Sequence, residues 1–217
     1  MDIKDTYKTI EKPSKGEYKD KGSKFIAYAF EINSEQEFKI HLDEIKKEHF
    51  KARHHCYAYA IGPNHEKYRY NDDGEPGGTA GLPIYNQIKS KNLSNIAIIV
   101  VRYFGGTKLG VPGLINAYKE STKDALKNGI IIDRYIEDTI SIKYDFKYTG
   151  EIMKVINSTD AIISENNFEI IPELVIRIRK SKTADFIKNV YSAILKRDIN
   201  DITTDEKIEG LKVELQN

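Results

Sequence analysis

Cysteine is nearly missing from this chain of 217 residues: Cys56 stands alone. One thiol excludes an intrachain disulfide, and with it the small oxidised scaffolds of secreted proteins; it agrees with a reducing cytoplasm. Long apolar runs are missing too. None approaches the roughly 18 residues that a spanning helix needs, so no membrane partner is expected. The opening Met-Asp-Ile-Lys-Asp lacks the basic-then-apolar layout of a secretory signal. The expectation is a soluble, cytoplasmic protein. An excess of either charge is also lacking, since 34 Lys and Arg meet 33 Asp and Glu for a net +1. The balance is uneven, however. From residue 136 onward 12 bases face 15 acids, which leaves a surplus of four positive charges in the first part. Such a surplus is compatible with phosphate-bearing partners. No internal repeat and no low-complexity segment interrupts the chain.

The length suits two domains, and 40% hydrophobic with 31% charged residues is ordinary for a protein that buries a core. Short strands are expected at Tyr7–Ile10 and Lys24–Ile32, with Lys12, Lys15, Lys19, Lys21 and Lys24 around their connection, a cluster that is either solvated or able to touch nucleic acid. Ser34-Glu-Gln-Glu37 reads as a capping box, and Phe38, Leu42 and Ile45 then repeat at helical spacing to about His49, with His41 and His49 at the edge of the stripe. From Arg53 to Ile61 the pattern alternates: His55, Tyr57, Tyr59 and Ile61 face one way, His54, Cys56, Ala58 and Ala60 the other. The small residues of the second set allow a helix to approach closely. Lys67–Tyr70 reads as a returning strand. Ile96–Tyr103 is too apolar for an edge and belongs at the centre of a sheet. A helix after Pro112 buries Leu114, Ala117, Tyr118, Ser121, Ala125 and Leu126, and Asn128-Gly129 ends it as a left-handed cap would.

Near Arg134–Asp138 the first domain, residues 1–134, hands over to a second, residues 138–217. There the pattern runs from a strand around Ile140–Tyr144 to a helix from Thr149. Strands near Ala161–Ser164 and Phe168–Arg179 follow, then a helix over Thr183–Lys196 and a last strand within Lys207–Leu215. That order is βαββαβ, the ferredoxin-like pattern. Alternation puts Leu174, Ile176 and Ile178 in its core and Arg177 and Arg179 outside, with Lys143 and Lys212 on the same outward side. This predicts a basic sheet face without stacking aromatics, suited to nucleic-acid backbone rather than bases.

Two glycine-rich loops flank the apolar strand: Asn71 to Gly81 and Arg102 to Gly113. Each feeds a helix. Thr79 is placed to cap the first, and Pro112 suits the first turn of the second. Unshielded amides at two helix starts on one sheet edge form a place where a small anion or phosphate binds. The candidate binding residues are Arg53, His54 and His55, then Asp72, Asp73, Gly74, Glu75, Gly78 and Thr79, then Arg102, Tyr103, Gly105, Gly106 and Lys108. Three acids in such a site repel an anion unless they pair with Arg53, Arg102 or a cation.

Other chemistries fit less well. His54 and His55 face opposite ways on a strand, and no second cysteine or His-x-x-x-His spacing joins them, so no metal and no cofactor is expected. A Cys56–His pair oriented by Asp72 or Asp73 has the residue types of a nucleophile, but His54 and Cys56 lie about 7 Å apart by strand rise. Asp73 and Glu75 have the types of an acid–base pair, although carboxylates in glycine loops also make turns. Neither loop carries the Gly-Lys-Ser/Thr of a P-loop. Binding is therefore expected rather than catalysis, with a hydrolase or phosphate-ligand enzyme at the same loops as the alternative.

His54-His55-Cys56, Asp72-Asp-Gly-Glu-Pro-x-Gly-Thr-Ala-Gly81 and Val101-Arg-Tyr-Phe-Gly-Gly-x-x-Leu-Gly110 fall in this order within about 60 residues. Together they resemble the signature of the IMPACT/YigZ-like family, and the second half fits its bacterial two-domain branch by length and pattern. The resemblance implies an α+β protein. Its first domain, a two-layer α/β unit, would be similar to the second domain of ribosomal protein S5, and its second would be ferredoxin-like. It also implies a link to translation control, which in eukaryotic relatives is competition for the activator of a translation-initiation kinase. The implied partners are a ribosome, RNA or a translation-related protein.

Overall fold

The computed structural model describes residues 5–168 and 170–216. The chain divides into two compact units: Tyr7–Arg134, and a second in which Asp5 and Thr6 join the chain from Tyr135 onward.

The first unit is built on an antiparallel sheet of five strands in the order β2-β3-β6-β4-β5. These are β2 (Ser14–Asp20), β3 (Ser23–Glu31), β4 (His54–Ile61), β5 (Lys67–Asn71) and β6 (Ile96–Tyr103). A separate two-stranded pairing joins β1 (Thr6–Ile10) to β7 (Ile131–Tyr135). The lysine-rich stretch expected to connect two strands is itself β2, an edge strand whose outward alternation hides it in a reading by hydrophobicity. β6 takes the central position because Ile96 to Val101 are all fully buried, alternately on the two faces. Each of its isoleucines contributes roughly 1.5–3 kcal/mol relative to exposure.

One face is covered by α2 (Gly81–Ser90) and α3 (Gly110–Asn128), which pack Ile84, Ile88, Leu114, Ala117 and Tyr118 against Phe25, Cys56, Ala58, Ala60, Ile98 and Val100. These helices and the sheet are the two layers expected. The opposite face receives α1 (Glu35–Glu48), whose Phe38 and Ile45 meet Ile26, Tyr28, Tyr59, Ile99 and Val101. Ser34 caps α1 by accepting from the Glu37 amide at 3.2 Å, while Glu37 reaches back to the Asn33 amide at 2.8 Å, one residue beyond the usual box. The end of α3 departs from expectation: Gly129 is extended, with φ −92°, and a methyl group there would lie 2.5 Å from Ile10. Packing, not a left-handed cap, calls for glycine.

The second unit runs β8 (Glu137–Tyr144), α4 (Thr149–Asn157), β9 (Ile162–Asn167), β10 (Glu173–Arg179), α5 (Thr183–Leu195) and β11 (Leu211–Gln216). Its antiparallel sheet has the order β11-β8-β10-β9, which is ferredoxin-like. Ile140, Ile142, Leu174, Ile176 and Ile178 face Ile152, Ile156, Phe186 and Val190 of the helices.

Candidate functional site

β5 and β6 both run antiparallel to β4, so their C-terminal ends finish at one end of the sheet, beside the start of β4. Both then lead into helices on the same face. The two glycine loops are therefore neighbours, and a buried ion pair joins them.

The first loop opens with a tight turn. The Glu75 amide donates to the Asp72 carbonyl at 2.9 Å, with Asp73 at φ 42° and Gly74 at φ 84°. Two successive positive values make an Asp-Gly turn of the primed type, which glycine takes without steric cost. The Asp72 carboxylate then accepts from the amides of Gly78 (2.9 Å), Ala80 (2.9 Å) and Gly81 (2.8 Å). This corrects the expected cap: the Thr79 hydroxyl turns back to donate to the Pro76 carbonyl at 2.7 Å, and Asp72 takes the Ala80 and Gly81 amides at the start of α2. An aspartate can do so from far along the chain because the turn folds it over the helix start. The partial positive charge at this helix N-terminus is thus already met by the protein's own anion.

Arg102 and Glu75 are also turned inward. The Arg102 Nη1 donates to Glu75 Oε1 at 2.6 Å, with side-chain exposures of 8% and 3%. The Tyr118 hydroxyl donates to the same oxygen at 2.8 Å. The guanidinium lies 5.5 Å from the ring centres of Phe25 and Phe104. The expectation that Arg102 and Glu75 face a ligand is corrected accordingly: each is the other's partner. Tyr118, met in the sequence only as part of an apolar stripe, is the further member of this group. Its phenol, which needs a partner when buried, is the signal that could have revealed it.

Cys56 sits beneath. Its thiol reaches the Asp72 carbonyl at 2.9 Å and the Tyr118 hydroxyl at 3.3 Å, and burial pushes its pKa far up. Burial likewise raises Tyr118. The Asp73 carboxylate accepts from the His55 amide at 2.6 Å, and its carbonyl lies 2.8 Å from His54 Nδ1. His55 is buried, which holds its pKa below the ordinary histidine value. Tyr103 is half-buried and its hydroxyl lies 2.8 Å from His49 Nδ1; His49 Nε2 is 2.7 Å from the Tyr28 hydroxyl. His49 is therefore buried between two tyrosines rather than at a helix edge, and burial lowers its pKa as well.

The second loop is more open. Gly105 packs backbone to backbone on Gly22, where a methyl would come within 1.9 Å, and its amide donates to Ser23 Oγ at 3.1 Å. Beyond it Gly106, Thr107 and Lys108 are exposed, as are Arg53 and Phe104. α3 has no side-chain cap at its start. A shallow groove of about 210 Å³ runs between α2 and α3, lined by Gly78, Leu82, Ile115 and Lys119 among others.

The sheet face of the second unit is not the basic surface expected. The alternation places Lys143, Arg177, Arg179 and Lys212 outward, but each is beside an acid: Lys143 with Glu173 (3.4 Å), Arg177 with Glu137 (3.6 Å), Lys212 with Glu214 (2.8 Å). Arg179 holds Asp5 with two bonds of 3.1 Å and lies 3.7 Å over the Tyr135 ring. Its partner comes from the start of the chain, which strand alternation cannot foresee.

Among the described residues no group of three or more His, Cys, Asp or Glu is placed to hold a metal ion, and no helix is long and apolar enough to cross a membrane.

Residues 21–126 match the Impact N-terminal domain family. Over 181 residues the chain is 32% identical to the IMPACT family member YvyE of Bacillus subtilis, covering 83% of each chain. Over 168 residues it is 28% identical to the IMPACT family member YigZ of Escherichia coli, covering 76% of this chain and 82% of that one. A solved hypothetical protein superposes with a TM-score of 0.74 at 23% identity over 97% of both chains, a likeness of fold.

Proposed function

The chain belongs to the IMPACT family, and from that premise we propose that it is a binding protein acting in the regulation of translation. It associates with the ribosome, RNA or a translation factor through the surface that the two glycine loops leave outward. The observation that carries this reading is the fate of the three acids. Asp72 is taken up by three amides, Glu75 by Arg102 and Tyr118, and Asp73 by the His55 amide. The repulsion expected from three carboxylates in an anion site is thereby reduced. What faces out is Arg53, Lys108, the backbone around Gly106 and the start of α3, a mildly positive surface suited to a polyanion.

The hydrolase alternative loses its main support. The only thiol is fully buried with its pKa raised, and Glu75, half of the proposed acid–base pair, is engaged by Arg102. Co-sedimentation with ribosomes across a salt series tests the proposal. Charge reversal at exposed Arg53 and Lys108 should weaken association by about tenfold at moderate salt and flatten its salt dependence. Association unchanged by both reversals would place the functional surface elsewhere.

A further inference from the structure

The outer edge of the first unit carries an arrangement unrelated to the glycine loops. β5 is an edge strand, and its Tyr68 and Tyr70 are 57% and 42% exposed. Being two apart, they project on one side of the strand, about 7 Å from one another by strand rise. Their cross-strand partners on β4 are Ala60 and Ala58, which leave the space above the sheet to the rings. Both lie nearly parallel to Tyr85 of α2, with ring centres 5.0 Å and 5.8 Å from it and planes inclined by 12° and 26°. Tyr85 itself is buried and held in place. His65 Nε2 donates to the Leu93 carbonyl at 2.7 Å, so Nδ1 accepts from the Tyr85 hydroxyl at 3.3 Å.

A lysine stands beside these rings. Lys89 Nζ lies 5.8 Å over the Tyr85 ring and Lys91 is exposed at the same helix end, whereas Lys67 and Arg69, at the alternate positions of β5, project to the other side of the strand. Neither Lys89 nor Lys91 is in an ion pair among the described residues. The neighbouring acid, Glu66, folds back on its own turn, accepting from the Asn64 amide and side chain at 3.1 Å each. Exposed rings stacked on a buried neighbour, with an unpaired lysine beside them and the acid of the adjoining turn occupied, are what a single strand of nucleic acid recognises. Its bases stack on the rings and its phosphates meet the lysines. Holding the rings against Tyr85 beforehand reduces the ordering cost of binding.

We propose that the β5–α2 edge, through Tyr68, Tyr70 and Lys89, binds single-stranded nucleic acid by stacking. The proposal rests on the translation-linked reading only in preferring RNA to DNA, since stacking is indifferent to the sugar. The test is fluorescence anisotropy of the full chain with labelled oligouridine of about 12 nucleotides, oligothymidine of the same length, and blunt duplex RNA. The expected result is binding to single strands in preference to duplex, with tighter binding to the uridine strand assigning RNA. Tyr68→Ala and Tyr70→Ala should each weaken binding about tenfold, whereas Tyr68→Phe and Tyr70→Phe keep it, and Lys89→Gln should reduce the salt slope by about 0.7. Circular dichroism of each variant separates loss of binding from loss of fold.

Several outcomes overturn the proposal: no binding to either single strand, equal binding to duplex, or full binding in both alanine variants. A nuclease-resistant protein complex that needs Tyr68, without oligonucleotide binding, overturns it in favour of a protein interface. Ribosome co-sedimentation that persists while oligonucleotide binding fails refutes this edge alone and leaves the loop surface standing. Oligonucleotide binding lost on charge reversal of Lys108 but not in the tyrosine variants likewise assigns the strand to the loops.

Discussion

Replacing Arg102 by alanine separates a clamp from a ligand-binding arginine. The guanidinium and the Glu75 carboxylate meet at 2.6 Å with exposures of 8% and 3%. Removing Arg102 leaves the carboxylate in the interior with only the Tyr118 hydroxyl. Breaking a buried pair from one side costs about 3–5 kcal/mol, because the remaining charge is uncompensated. The contacts with the buried Phe25 ring and the exposed Phe104 ring are lost as well, worth at least about 0.5 kcal/mol each. For a unit of this size roughly 3–5 °C of melting temperature is lost per kcal/mol. Arg102→Ala should therefore melt at least about 12 °C lower, and Arg102→Lys should recover only part of this, since a compact, strongly hydrated ammonium loses the planar guanidinium's contacts with Phe25 and Phe104. Combining Arg102→Met with Glu75→Leu should cost clearly less than the two single changes together, because no charge is left behind. Calorimetry of the wild type and these variants provides the comparison. An Arg102→Ala variant that melts like the wild type while losing ribosome association would refute the clamp and return Arg102 to the binding surface.

Asp72→Ala should cost about 2 kcal/mol in urea titration by releasing the Ala80 and Gly81 amides at the helix start and the Gly78 amide of the loop, and Thr79→Ala clearly less; the reverse order would restore Thr79 as the cap. Cys56 should react with a thiol reagent only at the rate of unfolding at neutral pH, and Cys56→Ala should leave binding unchanged; rapid labelling of the native protein would revive a catalytic role. His49 and His55 are both held below their ordinary pKa of 6.5 by burial. The unfolded chain therefore takes up more protons below about pH 6.5, so their contribution is complete above that value and is lost as pH falls through the depressed folded values. Melting temperature should be level between about pH 7 and 8 and decline from about pH 6.5 toward 5, less so in His49→Gln. A curve level to about pH 5 would contradict the burial of both rings.

Much of what depends on residues close in the chain was legible in the sequence, although the polar edge strand β2 and the extended Gly129 were not. The helical spacing of Phe38, Leu42 and Ile45, the two faces of His54–Ile61, the central place of Ile96–Tyr103 and the βαββαβ order all follow from periodicities of a few residues, and the tertiary structure keeps them. The two glycine loops were legible as neighbours too, because strand direction places their ends on one sheet edge. The partners of charged groups were not. Arg102 meets Glu75 across 27 residues, Tyr118 meets it across 43, and Arg179 meets Asp5 across 174. Whether an arginine beside glycines faces solvent or a buried carboxylate depends on how separate elements pack, and composition is the same in both cases. The cap of α2 passed from Thr79 to Asp72 for the same reason: a turn six residues upstream of Gly78 brought a stronger acceptor to the amides. The stacked edge of Tyr68, Tyr70 and Tyr85 likewise arises only when β5 folds against α2. Periodicity therefore gives the surfaces, while burial and pairing, which are non-local, decide which polar side chains remain free to bind.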